Sequence, residues 1–203
     1  VGHQSKILTE PFTNYNIIVF DQQMKHGSDV YLINTNVTRT RGYNNANVTG
    51  AGFSLNNKKS TYNISGAGSM SNVFSKGDML LNTISDYYGF QYSFWAGKQT
   101  GKFQFNLMRD AISPTFNNND IGITRETNFT STAIWAGYFM YEPKGKLLNG
   151  HLEGYVQESN NYTTGTNMGI SGNLNAMGTF KNYSSGFISF MSDITEQIDY
   201  YEP

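Results

Sequence analysis

His151 and Glu153 lie two residues apart in an alternating segment, so an imidazole and a carboxylate project from one face of a strand. Together they suit acid–base work or metal ligation. No third ligand accompanies them, which favours two polar side chains in a hydrogen-bond network. In "SPTFNNNDIGIT", Asn117, Asn118, Asn119 and Asp120 follow in succession and could offer oxygen atoms to calcium. The stretch lacks EF-hand spacing and a bidentate glutamate, and an Asn- and Asp-stabilised turn is the simpler expectation. His3 falls in a terminal region and His26 in a turn. No G-x-S-x-G elbow, phosphate loop or H-E-x-x-H pair occurs. With zero Cys, thiol catalysis, disulfides and Cys-ligated zinc are excluded. The residues imply no cofactor and no metal.

The chemistry that recurs is uncharged. Asn14 and Asn16, Asn34 and Asn36, Gln91 and Ser93, Gln104 and Asn106, and Asn173 and Asn175 are pairs spaced by two, and His151 and Glu153 add a sixth. Amides and hydroxyls donate and accept hydrogen bonds to sugars and other neutral solutes. These twelve residues are expected to share one wet face.

The elements that carry them alternate with period two. In "YYGFQYSFWAGKQTGKFQFNLMRD", Phe90, Tyr92 and Phe94 point one way and Gly89, Gln91 and Ser93 the other. After Gln99-Thr100-Gly101 the pattern resumes with Phe103, Phe105 and Leu107 opposite Gln104 and Asn106, a hairpin signature. The same reading predicts strands near 13–21, 29–40, 46–56, 60–71, 87–98, 102–111, 124–141, 147–158, 166–176 and 181–192. Segment 124–141 resists a face assignment, because Ala133, Trp135, Gly137 and Phe139 rival Ile134, Ala136, Tyr138 and Met140. The connections at 57–59, 99–101, 142–146 and 177–180 are short, whereas 72–86, 112–123, 159–165 and the tail from 193 are longer. Outer-membrane barrels show such asymmetry, and tyrosines near strand ends (Tyr87, Tyr88, Tyr138, Tyr141, Tyr155, Tyr162, Tyr183) would suit the headgroup level.

Composition narrows the classes. The net charge of −1 with 14% charged residues leaves no basic stripe for a nucleic-acid partner. No stretch approaches the ~18 apolar residues a membrane helix needs, while a spanning strand needs only ~9–11. The length suits one domain over 1–203. A soluble β-sandwich would also alternate, but its strands average ~5–6 residues, shorter than several here.

"EPFTNYNIIVFDQQMKHGSDVYLINTNVTR", "ANVTGAGFSLNNKKSTYNISGAGSMS", "GKFQFNL", "SPTFNNNDIGITRETN" and "IDYYEP" resemble the C-terminal region of a Bacteroidetes outer-membrane family. Its members carry an N-terminal domain like the family-9 carbohydrate-binding modules and a C-terminal barrel domain of unknown function. "NTNVTR", "NNNDIGI" and "DYYEP" are the most specific pieces. The carbohydrate-module-like domain has no counterpart here, and neither does a final aromatic-ended strand, so a portion of a larger barrel, or a sheet completed by other chain segments, is expected.

These readings converge on an all-β, antiparallel, up-and-down transmembrane β-barrel of about ten strands in the cell outer membrane. It would act as a channel or as a membrane anchor for a surface module. The expected partners are outer-membrane lipid, a glycan or other neutral solute, and other envelope proteins. The alternatives are an envelope hydrolase using the barrel as scaffold and a soluble ligand-binding barrel of lipocalin type.

Overall fold

A computed structural model of the chain describes residues 11–40, 43–74, 86–117 and 126–195. Ten strands follow one another: β1 (Thr13–Gln23), β2 (Asp29–Arg39), β3 (Asn45–Asn56), β4 (Tyr62–Phe74), β5 (Tyr87–Lys98), β6 (Phe103–Ile112), β7 (Phe129–Met140), β8 (Leu147–Asn161), β9 (Asn167–Phe180) and β10 (Ser185–Asp193). They form one antiparallel sheet in sequence order, an up-and-down meander. Among the described residues β1 pairs only with β2 and β10 only with β9, so the described sheet is open. Among the described residues no helix is long and apolar enough to cross a membrane.

Asparagine closes several of the turns. Asn57 Oδ1 accepts from the N–H groups of Thr61 and Tyr62 at 2.7 and 3.1 Å. Asn161 Oδ1 does the same for Thr163 and Thr164, and Asn182 Oδ1 for Ser184. A short side chain that mimics a backbone acceptor holds each bend. Two of the connections on one side are long, 75–86 and 113–128, but 40–44 and 162–166 are only five residues each. The expected long connection at 159–165 is therefore a tight turn, because β8 continues to Asn161.

Residues directly opposite in a ladder share a face. Tyr31, Ile33, Thr35 and Val37 of β2 open on the same cavity as Gln157 of β8, so the sheet curls and these residues mark its concave side. The buried apolar residues are few and mostly small, and Val37, Ala46 and Val73 cluster with Tyr87 on that side. Buried polar residues are equally prominent, among them Asn63, Ser65, Ser71 and Ser131.

The convex side is the opposite. Leu32, Leu55, Ile64, Tyr92, Phe94, Leu107, Ile134, Leu152 and Leu174 all stand exposed along it. In each strand this apolar stretch occupies a limited span, and its position moves along the sheet. The ladder row through Tyr31, midway in the stretch Val30–Leu32, passes Gly52, Ala67, Ser93 and Asp110 to Ser131 of β7 and Ser159 of β8. The β7 stretch Ile134–Met140 is centred on Gly137, six residues from Ser131 after five strand steps. The β8 stretch Leu152–Val156 is centred on Gly154, five residues from Ser159 after six steps. From β2 to β7 and β8 the belt thus shifts by about one residue per strand on average, although on β5 its centre, Tyr92, still lies beside the row's Ser93; a rise of ~3.3 Å against a spacing of ~4.8 Å makes the mean inclination roughly 35° to the ladder rows. On β5 it runs from Tyr88 to Ala96, about 22 Å tall after allowing for that inclination.

Candidate functional site

The twelve amide, hydroxyl, His and Glu positions do not form one surface. Gln91, Ser93, Gln104, Asn106, His151, Glu153, Asn173 and Asn175 lie in the concave parity of the sheet, as the pairings Ser93↔Asp110, Asn106↔Trp135, Gly137↔Glu153 and Glu153↔Asn175 require. Asn14, Asn16, Asn34 and Asn36 lie in the convex parity, since Asn16 faces Asn36 and Asn34 faces Thr49. Asn34 Nδ2 donates to Thr49 Oγ1 at 2.7 Å and to Asn47 Oδ1 at 3.1 Å, and Asn47 returns a bond to Asn34 Oδ1 at 3.2 Å. These four form a polar rim beside the apolar belt. In β1 and β2 both faces are apolar over Ile17–Phe20 and Val30–Ile33, so alternation alone sets no phase there. The alternating pattern and the ladders do resolve β7: Trp135, Gly137 and Phe139 are concave and Ile134, Ala136 and Tyr138 convex.

Toward the short-turn end the concave side is aromatic and amide-rich. Phe139 stacks on His151 at 5.5 Å between ring centroids, on Tyr141 at 6.0 Å, and lies 6.1 Å from Trp135. His151 is thus held against a ring rather than beside a base. Ser189 Oγ donates to Asn175 Oδ1 at 2.6 Å, and Asn175 Nδ2 to Asn173 Oδ1 at 3.3 Å. Among the described residues no group of three His, Cys, Asp or Glu side chains could hold a metal ion. Of the four residues first considered for calcium, Asn118, Asn119 and Asp120 lie outside the described residues, as does His3.

Asn117 has a structural task, which leads to the pocket. Residues 113–117 fold back over the concave side beside β4 and β5. The Ser113 N–H donates to the Phe90 carbonyl at 2.9 Å and Ser113 Oγ accepts from the Phe90 N–H at 2.9 Å. Thr115 Oγ1 donates to the Tyr88 carbonyl, the Asn117 N–H to Ser71 Oγ at 3.0 Å, and Asn117 Nδ2 to the Tyr87 hydroxyl at 2.9 Å. Phe116 is 7% exposed. It passes so close to β5 that a Cβ on Gly89 would lie 2.2 Å from the Phe116 Cα, and only glycine fits there.

Below this strap is a cavity of about 610 Å³ that reaches from β2 to β8. Small residues hollow it out: Gly50, Ala67, Ser69, Ser93, Ser131 and Ala133 stand where neighbouring rows carry Tyr, Trp or Ile. Gln91 and Ser93 are the two residues from the amide set that reach it. Sequence reasoning missed its charge, Asp110, which faces Ser93 on one side and Ser131 on the other. The signal lay in the ladder: "RD" puts Arg109 on one face and Asp110 on the other. Arg109 Nη1 donates to Thr132 Oγ1 on the convex side. Asp110 itself makes no hydrogen bond or ion pair with any described residue, although its charge acts on the nearby Tyr155 phenol. That phenol donates to Gln157 Oε1, and Gln157 Nε2 to Ser159 Oγ at 3.3 Å.

Residues 1–203 match the family described as a domain of unknown function, DUF5916. The chain belongs to that family. No curated protein and no solved structure matches it. For this DUF5916 sheet, then, chemistry rests on its own two faces: an apolar, inclined outer belt and an inner face where small polar residues surround the Asp110 carboxylate and Glu153 stands further toward the short-turn end.

Proposed function

We propose that this sheet is part of the wall of an outer-membrane β-barrel, serving as a channel or as a membrane anchor for a surface module. The observation that carries this is the inclined convex belt. Strands in outer-membrane barrels tilt ~35–45° and present an apolar band ~25 Å tall, and a belt at roughly 35° and about 22 Å fits that geometry. Large side chains such as Phe20, Phe94 and Ile188 on the outside gain from acyl chains what water would withhold. The inner wall carries few charges and many hydroxyls and amides, which suits neutral solutes or glycans better than ion selection by a charged ring. The open edges call for closure by further strands, because unpaired ladders do not persist within lipid. The resemblance of "NTNVTR" and "NNNDIGI" to Bacteroidetes proteins that also carry a carbohydrate-module-like domain supports the surface-anchor version.

The full-length protein, extracted from native membranes, should migrate differently in gels before and after boiling and should partition with detergent. Partition into the aqueous phase would overturn the barrel. Planar-bilayer recording then separates the two versions: steady conductance selects the channel, and a sealed bilayer selects the anchor.

A further inference from the structure

We propose that the strip of rings on the concave side of β7 and β8 is a binding track for an uncharged oligosaccharide. The proposal rests on the barrel reading for a wet inner face, and adds to it the solute and the residues that meet it. Trp135, Phe139 and Tyr141 leave β7 on the same side, and the glycine among them lets the first two converge. A Cβ on Gly137 would lie 2.8 Å from Phe139 Cε2 and 3.1 Å from Trp135 Cζ2. The rings follow one another at 6.1 and 6.0 Å between centroids, and the planes of Phe139 and Tyr141 differ by only 8°. His151, across the ladder from Phe139, widens the strip with a fourth ring at 5.5 Å. Tyr141 is 59% exposed while Trp135, Phe139 and His151 are half-buried, so ring surface is left over after the rings have packed on one another.

Hydrogen-bonding groups border the strip on both sides. On β6, Gln104 lies opposite Gly137 and Asn106 opposite Trp135, and Gln104 Nε2 donates to the Tyr141 hydroxyl at 2.9 Å. On the other side Glu153 of β8 faces Gly137, and Asn175 of β9 faces Glu153. A pyranose has the matching layout, with C–H bonds on its faces and hydroxyls around its rim. Aromatic faces carry the negative part of the ring quadrupole and attract the weakly positive C–H hydrogens. The rim hydroxyls then donate to carbonyl and carboxylate oxygens and accept from amide N–H groups. An apolar solute would strip water from these borders and return no hydrogen bonds. Successive rings favour successive sugars, and hence a chain over a single unit. Asn175 is already held by Ser189 and Asn173, and Gln104 by Tyr141, which lowers the cost of ordering the borders when the sugar arrives.

The test uses the full-length protein in a detergent without a sugar headgroup, titrated calorimetrically with maltotetraose, cellotetraose, glucose and sorbitol. At least one tetrasaccharide should bind about tenfold more tightly than glucose, the gain from a further ring contact. Sorbitol, which has hydroxyls but no ring faces, should not bind. Phe139→Leu keeps an apolar side chain without a flat face and should weaken tetrasaccharide binding about tenfold, whereas Phe139→Tyr should keep it. Glu153→Gln, which still hydrogen-bonds, should bind as the parent does, and Glu153→Leu should bind more weakly. Emission from Trp135, isolated by Trp95→Phe, should change as the tetrasaccharide saturates. Circular dichroism of each variant shows that the sheet has formed. Failure of both tetrasaccharides to bind, equal binding of sorbitol, full affinity in Phe139→Leu, or binding that leaves Trp135 emission unchanged overturns the proposal. Aqueous partitioning together with tetrasaccharide binding would sink the barrel and keep the track; membrane extraction without binding would do the reverse.

Discussion

Two residues decide whether the strap over the cavity holds. Ser71 is buried to 1% exposure and its hydroxyl is the acceptor for the Asn117 N–H. Ser71→Ala removes the hydroxyl that accepts from the Asn117 N–H in a place water barely reaches, and should cost about 1–3 kcal/mol in unfolding titrations. Gly89→Ala should also cost about 1–3 kcal/mol, since a methyl there collides with the Phe116 backbone rather than with a movable side-chain tip. Gly186→Ala is the control: a Cβ on Gly186 meets nothing within 4 Å, and the unfolding midpoint should stay within experimental scatter. Both strap variants should expose residues 113–117 to proteolysis before the strands are cut. The candidate pair His151 and Glu153 is tied to a ring stack on one side and a Gly137–Asn175 neighbourhood on the other. Neither geometry was legible from spacing, which reports a shared face and nothing about what packs against it.

Among the elements, β5 and β6 were the most readable, because every large residue from Phe90 to Phe94 and from Phe103 to Leu107 keeps one parity and the small polar ones keep the other. All ten strands appear in the expected order, most with ends within a few residues. Where reading failed, both parities carried similar side chains. Ile17, Ile18, Val19 and Phe20 are alike, so the Asn pairs of β1 and β2 could be attached to either side. The ladder, a long-range property, settles them on the rim. β8 was shortened in reading because Ser159, Asn160 and Asn161 look like loop residues, yet they extend the ladder against β7. A charge placed on the two parities should separate them energetically. Leu152→Arg, in the convex belt, should destabilise the protein refolded in liposomes by about 2–4 kcal/mol. Gln157→Arg on the adjacent concave side should cost much less, with retained migration as the check on folding.

At the scale of the whole molecule, the inclination of the belt makes a prediction that no single strand can. Leu32, Ala51, Tyr92, Thr130 and Asn160 belong to one ladder row. In the proposed barrel an upright sheet would put them at one depth, whereas a tilted one would put Leu32 among acyl chains and Asn160 at the rim. Single tryptophans placed at 32 and at 160, in a background lacking Trp95 and Trp135, should differ in quenching by lipids brominated along the chain, strongly at 32 and weakly at 160. Equal quenching would remove the tilt. The parity of the meander has its own consequence. Ten is even, so Thr13 and Asp193 finish at the same edge of the wall, the one that also carries 75–86 and 113–128. In the proposed barrel, cargo tethered upstream of the first strand and cargo tethered downstream of the last would be delivered to one compartment, and the two would meet rather than be parted by the bilayer.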